Sequence, residues 1–288
     1  MSSKLLIIGT VFPEPNSSAA GSRMLQLIEL LQQQGWAITF ASAAAESEFA
    51  VNLSAIGVKQ VSVKMNCSSF DEFVKELNPQ MVLFDRFMTE EQFGWRVADN
   101  CPNALRVLDT EDLNCLRHAR HQALKENREF VQSDLLNEHA KREIASIYRC
   151  DVSFIISEFE MELLKTVFKV DEAMLQYLPF MLDPISEADQ KAWLKFDERQ
   201  HFVTIGNFLH PPNWDAVQYL KATIWPLSES NFLSLKCMFT ELTQRRNTVS
   251  CILKRTAFSF SVEQKLHGSN WQSQSAFGAF AFWRWIEG

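Results

Sequence analysis

The sequence predicts an α/β fold, a doubly wound parallel sheet followed by an incomplete second α/β domain. Three features carry this. Short continuous apolar runs recur along the chain, as expected of parallel strands covered on both faces. Segments with helix-period apolar positions alternate with them. Glycine, proline and asparagine punctuate the junctions.

Residues 4–9 (KLLIIG) are the first apolar run. A polar, proline-containing loop follows over residues 10–20. Gly21, Ser22 and Arg23 then lead into a helix with apolar positions at Met24, Leu25, Leu27, Ile28, Leu30 and Leu31. Gly35 ends that helix and residues 36–41 form the next strand. The loop carries neither G-x-G-x-x-G nor G-x-x-x-x-G-K-[ST], which argues against a dinucleotide-binding oxidoreductase and a P-loop enzyme. Arg23 is open to two readings, a solvated residue at the helix start or a cation facing an acidic ligand group. The helix dipole disfavours a cation there, which tilts the balance slightly towards the ligand.

Residues 58–63 and 81–84 read as strands, with a helix over residues 70–77 between them and a turn at Asn78-Pro79. A helix containing residues 93–97 and a strand at 104–108 (ALRVL) follow. The charged stretch 124–148 predicts one long helix with a solvated face. Residues 151–156 form a strand, Ser157 caps the next helix, and residues 175–178 with Phe180 complete the sheet. Asp183-Pro184 marks the crossing, which gives domains at 1–184 and 185–227 and an aberrant tail at 228–288.

The strand at 104–108 ends in a cluster of acids. Asp109, Glu111 and Asp112 follow it directly, and closely placed carboxylates require a partner. Arg117, His118, Arg120 and His121 lie within about three helical turns and can supply one. The acids either line a site or cap the following helix. No D-x-D pattern is present, so no metal site is expected.

Residues 202–226 (FVTIGNFLHPPNWDAVQYLKATIWP) combine a short strand, a polar loop and a helix. Pro211 and Pro212 are expected to delay the helix until Asn213 caps it. Val217, Leu220 and Ile224 keep its apolar face until Trp225 and Pro226 stop it. This is either an ordinary βα unit or an anion-binding helix N-terminus. The segment resembles the opening of the second Rossmann-like domain of family-4-like glycosyltransferases, which have the two-domain GT-B fold. Its pattern G-x-x-x-H-x-P-N-x-D-A-V marks, in that family, the elements facing the interdomain cleft. The resemblance covers residues 4–227. It implies a nucleotide-sugar donor and a sugar or glycoconjugate acceptor. It also implies that Gly21, Ser22, Arg23, Asp109, Glu111, Asp112, Asn207, His210 and Asn213 are substrate-binding, with His210 and Arg23 sharing a cavity.

From Ser228 onward Asp, Pro and Tyr are absent and both periods fade. Back-translating residues 277–288 one base later permits LAPLRFGAGLKG, similar to the glycine-rich donor-site motif of the same family. Residues 267–276 can likewise read MEAIGKAKVL. The tail is therefore expected to be out-of-frame translation, poorly ordered, with Trp271, Trp283 and Trp285 unburied. The strand beginning at Phe202 is expected to keep an unpaired edge, and sugar transfer to be lost.

The chain has 288 residues, 47% of them hydrophobic and 22% charged, with a net charge of −7. That balance argues against nucleic acid as main partner. Six scattered cysteines without metal spacing suit a reducing cytoplasm. No run approaches the roughly 18 residues of a membrane span, which leaves peripheral membrane contact open. No cofactor is expected. A glycosyltransferase-like protein is the first reading, and a non-enzymatic binding protein on the surviving α/β domain is the alternative.

Overall fold

A computed structural model describes residues 3–16, 18–182, 184–198, 202–206, 210–229, 237–241 and 258–260. The chain divides into two units, Met1–Leu182 and Asp183–Gly288.

The first unit is built on seven parallel strands: β1 (Lys4–Gly9), β2 (Ala37–Ser42), β3 (Lys59–Ser62), β4 (Met81–Asp85), β5 (Leu105–Asp109), β6 (Val152–Ile155) and β7 (Leu175–Tyr177). Their order is β3-β2-β1-β4-β5-β6-β7. Each strand meets its neighbours in parallel. The doubly wound sheet predicted from the apolar runs is thus the observed one. Its helices are α1 (Ala19–Gln33), α2 (Ser69–Leu77), α3 (Arg86–Asn100), α4 (Asn114–Lys125), α5 (Glu138–Arg149) and α6 (Glu158–Thr166).

Strand β1 explains why its sequence does not alternate. Leu6 and Ile8 join a core with Phe70 and Val74 of α2 and Phe93 and Val97 of α3. Leu5 and Ile7 point the other way, into a core with Met24, Leu27 and Ile28 of α1 and Phe40 of β2. Both faces are covered, so every position is apolar. Each such side chain contributes about 1.5–3 kcal/mol through burial. The chain runs outward from β1 through β2 to β3, then returns past β1 to β4. The direction of winding therefore switches between β1 and β4, and ligands of such sheets bind outside the carboxyl ends at that point.

The single helix expected over residues 124–148 is instead two. Helix α4 stops at Lys125, Asn127 is left-handed at φ 52°, and a 3-10 turn spans Gln132–Leu135 before α5 begins. The charges that suggested a helix close the break. Arg128 meets Glu126 and Asp134, each at 2.7 Å. Asn137 accepts from the Ala140 N–H at 3.0 Å and donates to the Cys115 carbonyl at 3.1 Å. Local hydrogen bonding outweighs helix propensity here. Ser157 caps α6 as expected, accepting from the Glu160 N–H at 3.4 Å.

The second unit holds α7 (Glu187–Ala192), β8 (Phe202–Gly206), α8 (Pro211–Tyr219), a π turn at Leu220–Ile224, α9 (Trp225–Glu229), β9 (Cys237–Glu241) and β10 (Phe258–Phe260). Helix α8 begins at Pro211 with His210 as N-cap, three residues before the expected cap Asn213. Proline in the first turn lacks only an N–H that would have no helical partner there. Nor does Pro226 end the helix. The backbone widens just before it, where the Trp225 N–H reaches back to the Leu220 carbonyl, an i→i+5 bond that accommodates a residue with no N–H to place. Trp225 packs edge-on against Phe202, with ring centroids 6.0 Å apart.

Strand β8 pairs in parallel with β9, from Phe202↔Cys237 to Gly206↔Glu241, and β9 with β10. Strand β8 stands at the edge of this sheet, whose order is β10-β9-β8, so among the described residues one of its edges is unpaired as expected, while β9 and β10 place two strands within residues 228–288, where no strand period is legible. The rest of the predicted tail, including Trp271, Trp283 and Trp285, lies outside the described residues. Among the described residues no helix is long and apolar enough to cross a membrane.

Candidate functional site

The switch point between β1 and β4 carries a laced set of polar groups. Asp85, the last residue of β4, turns its Oδ2 back to accept the Thr10 N–H beyond β1 at 3.0 Å. Thr10 Oγ1 donates to the Asp85 carbonyl at 3.3 Å. The next residue, Arg86, opens α3 in the left-handed region, at φ 69°. Its Nε donates to Asp85 Oδ1 at 3.2 Å and lies 2.8 Å from Glu111 Oε2. Glu111, beyond β5, is itself left-handed at φ 58°. Two bulky residues in that region, facing each other across adjacent strand ends, are each held at a cost of about 1–2 kcal/mol. Glu111→Gly is accordingly expected to unfold at higher urea than Glu111→Ala, by about 1 kcal/mol. Equal stability of the two would show that the backbone there is unstrained.

Beneath this pair lies a second, fully buried one. Arg23 and Asp109 are 1% and 0% exposed. Arg23 Nη2 donates to Asp109 Oδ1 at 3.0 Å and its Nε reaches Oδ2 at 3.2 Å. Its Nη1 donates to the Pro179 carbonyl at 3.2 Å, and its guanidinium lies over the Phe180 ring. Burial pushes the Asp109 carboxyl up, against the pull of Arg23. Burial, then the Asp85 charge, pushes Glu111 up to about 8, with Arg86 opposing. Around Glu111 is a small open cleft lined by Glu14, Asp85, Arg86 and Glu111, with apolar Val11 and Met24 among its walls.

No family model and no curated protein matches the sequence. Solved structures match the fold. Sucrose-phosphate synthase from Thermosynechococcus elongatus is 12% identical, with a TM-score of 0.57, over 90% of this chain and 70% of that one. A protein assigned as a UDP-N-acetylglucosamine 2-epimerase from Listeria monocytogenes is 10% identical, with a TM-score of 0.52, over 92% of this chain and 70% of that one. At such identities the likeness is one of fold. The chain has a GT-B-type fold.

Within the GT-B frame the predicted residues take unequal places. Helix α1 begins at Ala19, earlier than expected, and Ser18 caps it by accepting from the Gly21 N–H at 3.0 Å. Gly21 does permit a close backbone approach, but of the chain to itself, since a Cβ there would lie 2.5 Å from the Glu14 carbonyl. Ser22 Oγ donates to the Pro15 carbonyl at 3.0 Å, which fixes the same loop. Arg23 is neither solvated nor on the cleft lining; its partner is Asp109. Glu111 is on the lining. Asp112 pairs with Arg117 at 3.1 Å, a pairing that the following helix supplies as foreseen.

The acids after β5 do not cap α4. Its N-cap is Leu113, which has no capping side chain. Glu143 of α5 accepts from the Asn114 and Cys115 N–H groups at 2.6 and 2.7 Å, and Glu160 of α6 from Leu113 at 2.9 Å. His210 and Asn213 open α8 in the second unit, and Asn207 lies outside the described residues. The sequence reading missed Asp85 and Arg86. The rule that singled out the end of β5 would have found them at the end of β4.

Proposed function

We propose that this chain is a glycosyltransferase-like protein, whose first unit receives a sugar or glycoconjugate acceptor and whose second unit derives from a nucleotide-sugar domain. The observation that carries this reading is the carboxylate-lined cleft at the switch point of a GT-B-type fold. One neighbour in fold is named for UDP-N-acetylglucosamine, which supports a nucleotide sugar as the donor. Sugar transfer between such partners rests on positioning and on stabilising the charge of an oxocarbenium-like centre and a leaving diphosphate. Residues 228–288 lack the family's glycine-rich donor motif in frame, so transfer by the chain as it stands is expected to be absent.

The test is calorimetric titration of UDP-glucose and UDP-N-acetylglucosamine into the purified chain, alongside an assay of UDP release with methyl glycosides present. Weak nucleotide-sugar binding without UDP release is the expected result. If neither nucleotide sugar binds, the glycosyltransferase reading gives way to a plain binding protein. Sustained UDP release would overturn the loss of transfer.

A further inference from the structure

We propose that β8 is a self-pairing edge, through which two copies of this chain join antiparallel about a two-fold axis at Thr204. The pairing involves the second unit alone and does not depend on any substrate.

Topology puts β8 in an exceptional place. In the first unit the order β3-β2-β1-β4 makes the first strand in sequence a central one, paired on both sides. The second unit repeats half of that arrangement. Its order is β10-β9-β8 and both pairs are parallel. Among the described residues, the strand in the place of β1 therefore stands at the edge.

The other edges are guarded and this one is not. An exposed edge offers its backbone groups to another chain, and proteins blunt it by shortening the strand or placing lysine on it. Strand β3 carries the exposed Lys59. Strands β7 and β10 are three residues long. Strand β8 has five residues, FVTIG, with neither charge nor proline.

A second copy is the partner that fits. Antiparallel pairing centred on Thr204 sets all five residues opposite one another: Phe202 against Gly206, Val203 against Ile205, and Thr204 against itself. No like charges meet, and a threonine pair across strands is favourable. Phe202 twice faces a glycine, whose bare backbone an aromatic ring can cover. That ring already packs edge-on against Trp225, with centroids 6.0 Å apart, so little of its freedom remains to be lost on association. Each copy brings one such edge, so the assembly closes at two. Five residues make a small contact, which places the dissociation constant at about 1–100 μM.

Sedimentation velocity on the full chain from about 1 to 300 μM spans that range and should show a monomer passing into a dimer. Thr204→Cys tests the register. Directly opposed residues lie about 4.5–5.5 Å apart between Cα atoms, within the span of a disulfide. With oxidised glutathione this variant should give at least about fivefold more reducible dimer than the parent chain, whose own cysteines set the background. Lys59→Cys, on the guarded edge β3, should give no more than the parent. Val203→Cys should also stay near the background, because its two copies lie on a diagonal of about 7–8 Å. Thr204→Lys puts like charges on the axis and should raise the dissociation constant about fivefold, with an unchanged circular dichroism spectrum. A chain that stays monomeric throughout, association that grows past the dimer, cross-linking at Thr204 no stronger than at Lys59 or Val203, or a dimer indifferent to Thr204→Lys would each overturn the proposal.

Discussion

Arg23→Met is expected to destabilise the first unit by about 3–5 kcal/mol, the usual effect of removing one partner from a buried ion pair. The substitution keeps most of the side-chain volume, so cavity formation is a minor part of the loss. What remains is the Asp109 carboxylate, 0% exposed, with no cation beside it, and a Pro179 carbonyl without its donor. Such a charge far from water either protonates or drags water into the core, and both are unfavourable. The double variant Arg23→Met with Asp109→Leu should recover most of the loss, because a buried pair replaced by packed apolar groups is often close to neutral. Urea unfolding followed by circular dichroism on the four chains of the cycle measures this. A single-variant loss below about 1 kcal/mol, or a double variant no better than the single, would show that the pair is not what holds α1 to β5.

That pair marks the boundary of what the sequence could tell. The inner strands are legible because burial on both faces leaves continuous runs such as KLLIIG and MVLF, which no helix of that length would need. The strand-end rule then locates Asp109, Glu111 and Asp112 at the carboxyl edge. Which cation meets which acid is a different matter. Arg23 and Asp109 are 86 positions apart, and no local pattern links them. The left-handed backbone of Arg86 and Glu111 is equally silent, since neither is a glycine. Residues 124–148 misled because their composition suits a helix, while Asn127 and Asn137 end one and start another. The capping of α4 is invisible for the opposite reason. Its own sequence offers Leu113, and the carboxylates that take its N–H groups come from α5 and α6.

Those two borrowed carboxylates carry the last expectation, that this protein loses stability as pH rises through neutrality. Burial pushes Glu143 and Glu160 each up to about 7, with their backbone N–H partners opposing. Glu160 Oε2 is buried with no hydrogen-bond partner among the described residues, so its ionised form is poorly compensated. Glu111 stands at about 8. In all three the folded state binds a proton more tightly than the unfolded chain. Their stabilisation is therefore complete below the ordinary carboxylate range and is lost as pH climbs through 7 and 8. Between pH 6.5 and 8.5 the three together should lower the unfolding free energy by about 2–4 kcal/mol. His139 acts in the other direction. Burial, with the neighbouring charges of His118, Arg142 and Arg117, lowers it, so its destabilising effect falls below its ordinary range and outside this window. Glu160→Gln keeps an acceptor for the Leu113 N–H and removes the charge. It should flatten the slope by about 1 kcal/mol over the window and make the variant more stable than the parent at pH 8.5. Urea midpoints measured across that range decide the matter. A parent whose stability is flat or rising from pH 6.5 to 8.5 would mean that these carboxylates are ionised at no cost, held by the α4 N-terminus strongly enough to outweigh their burial.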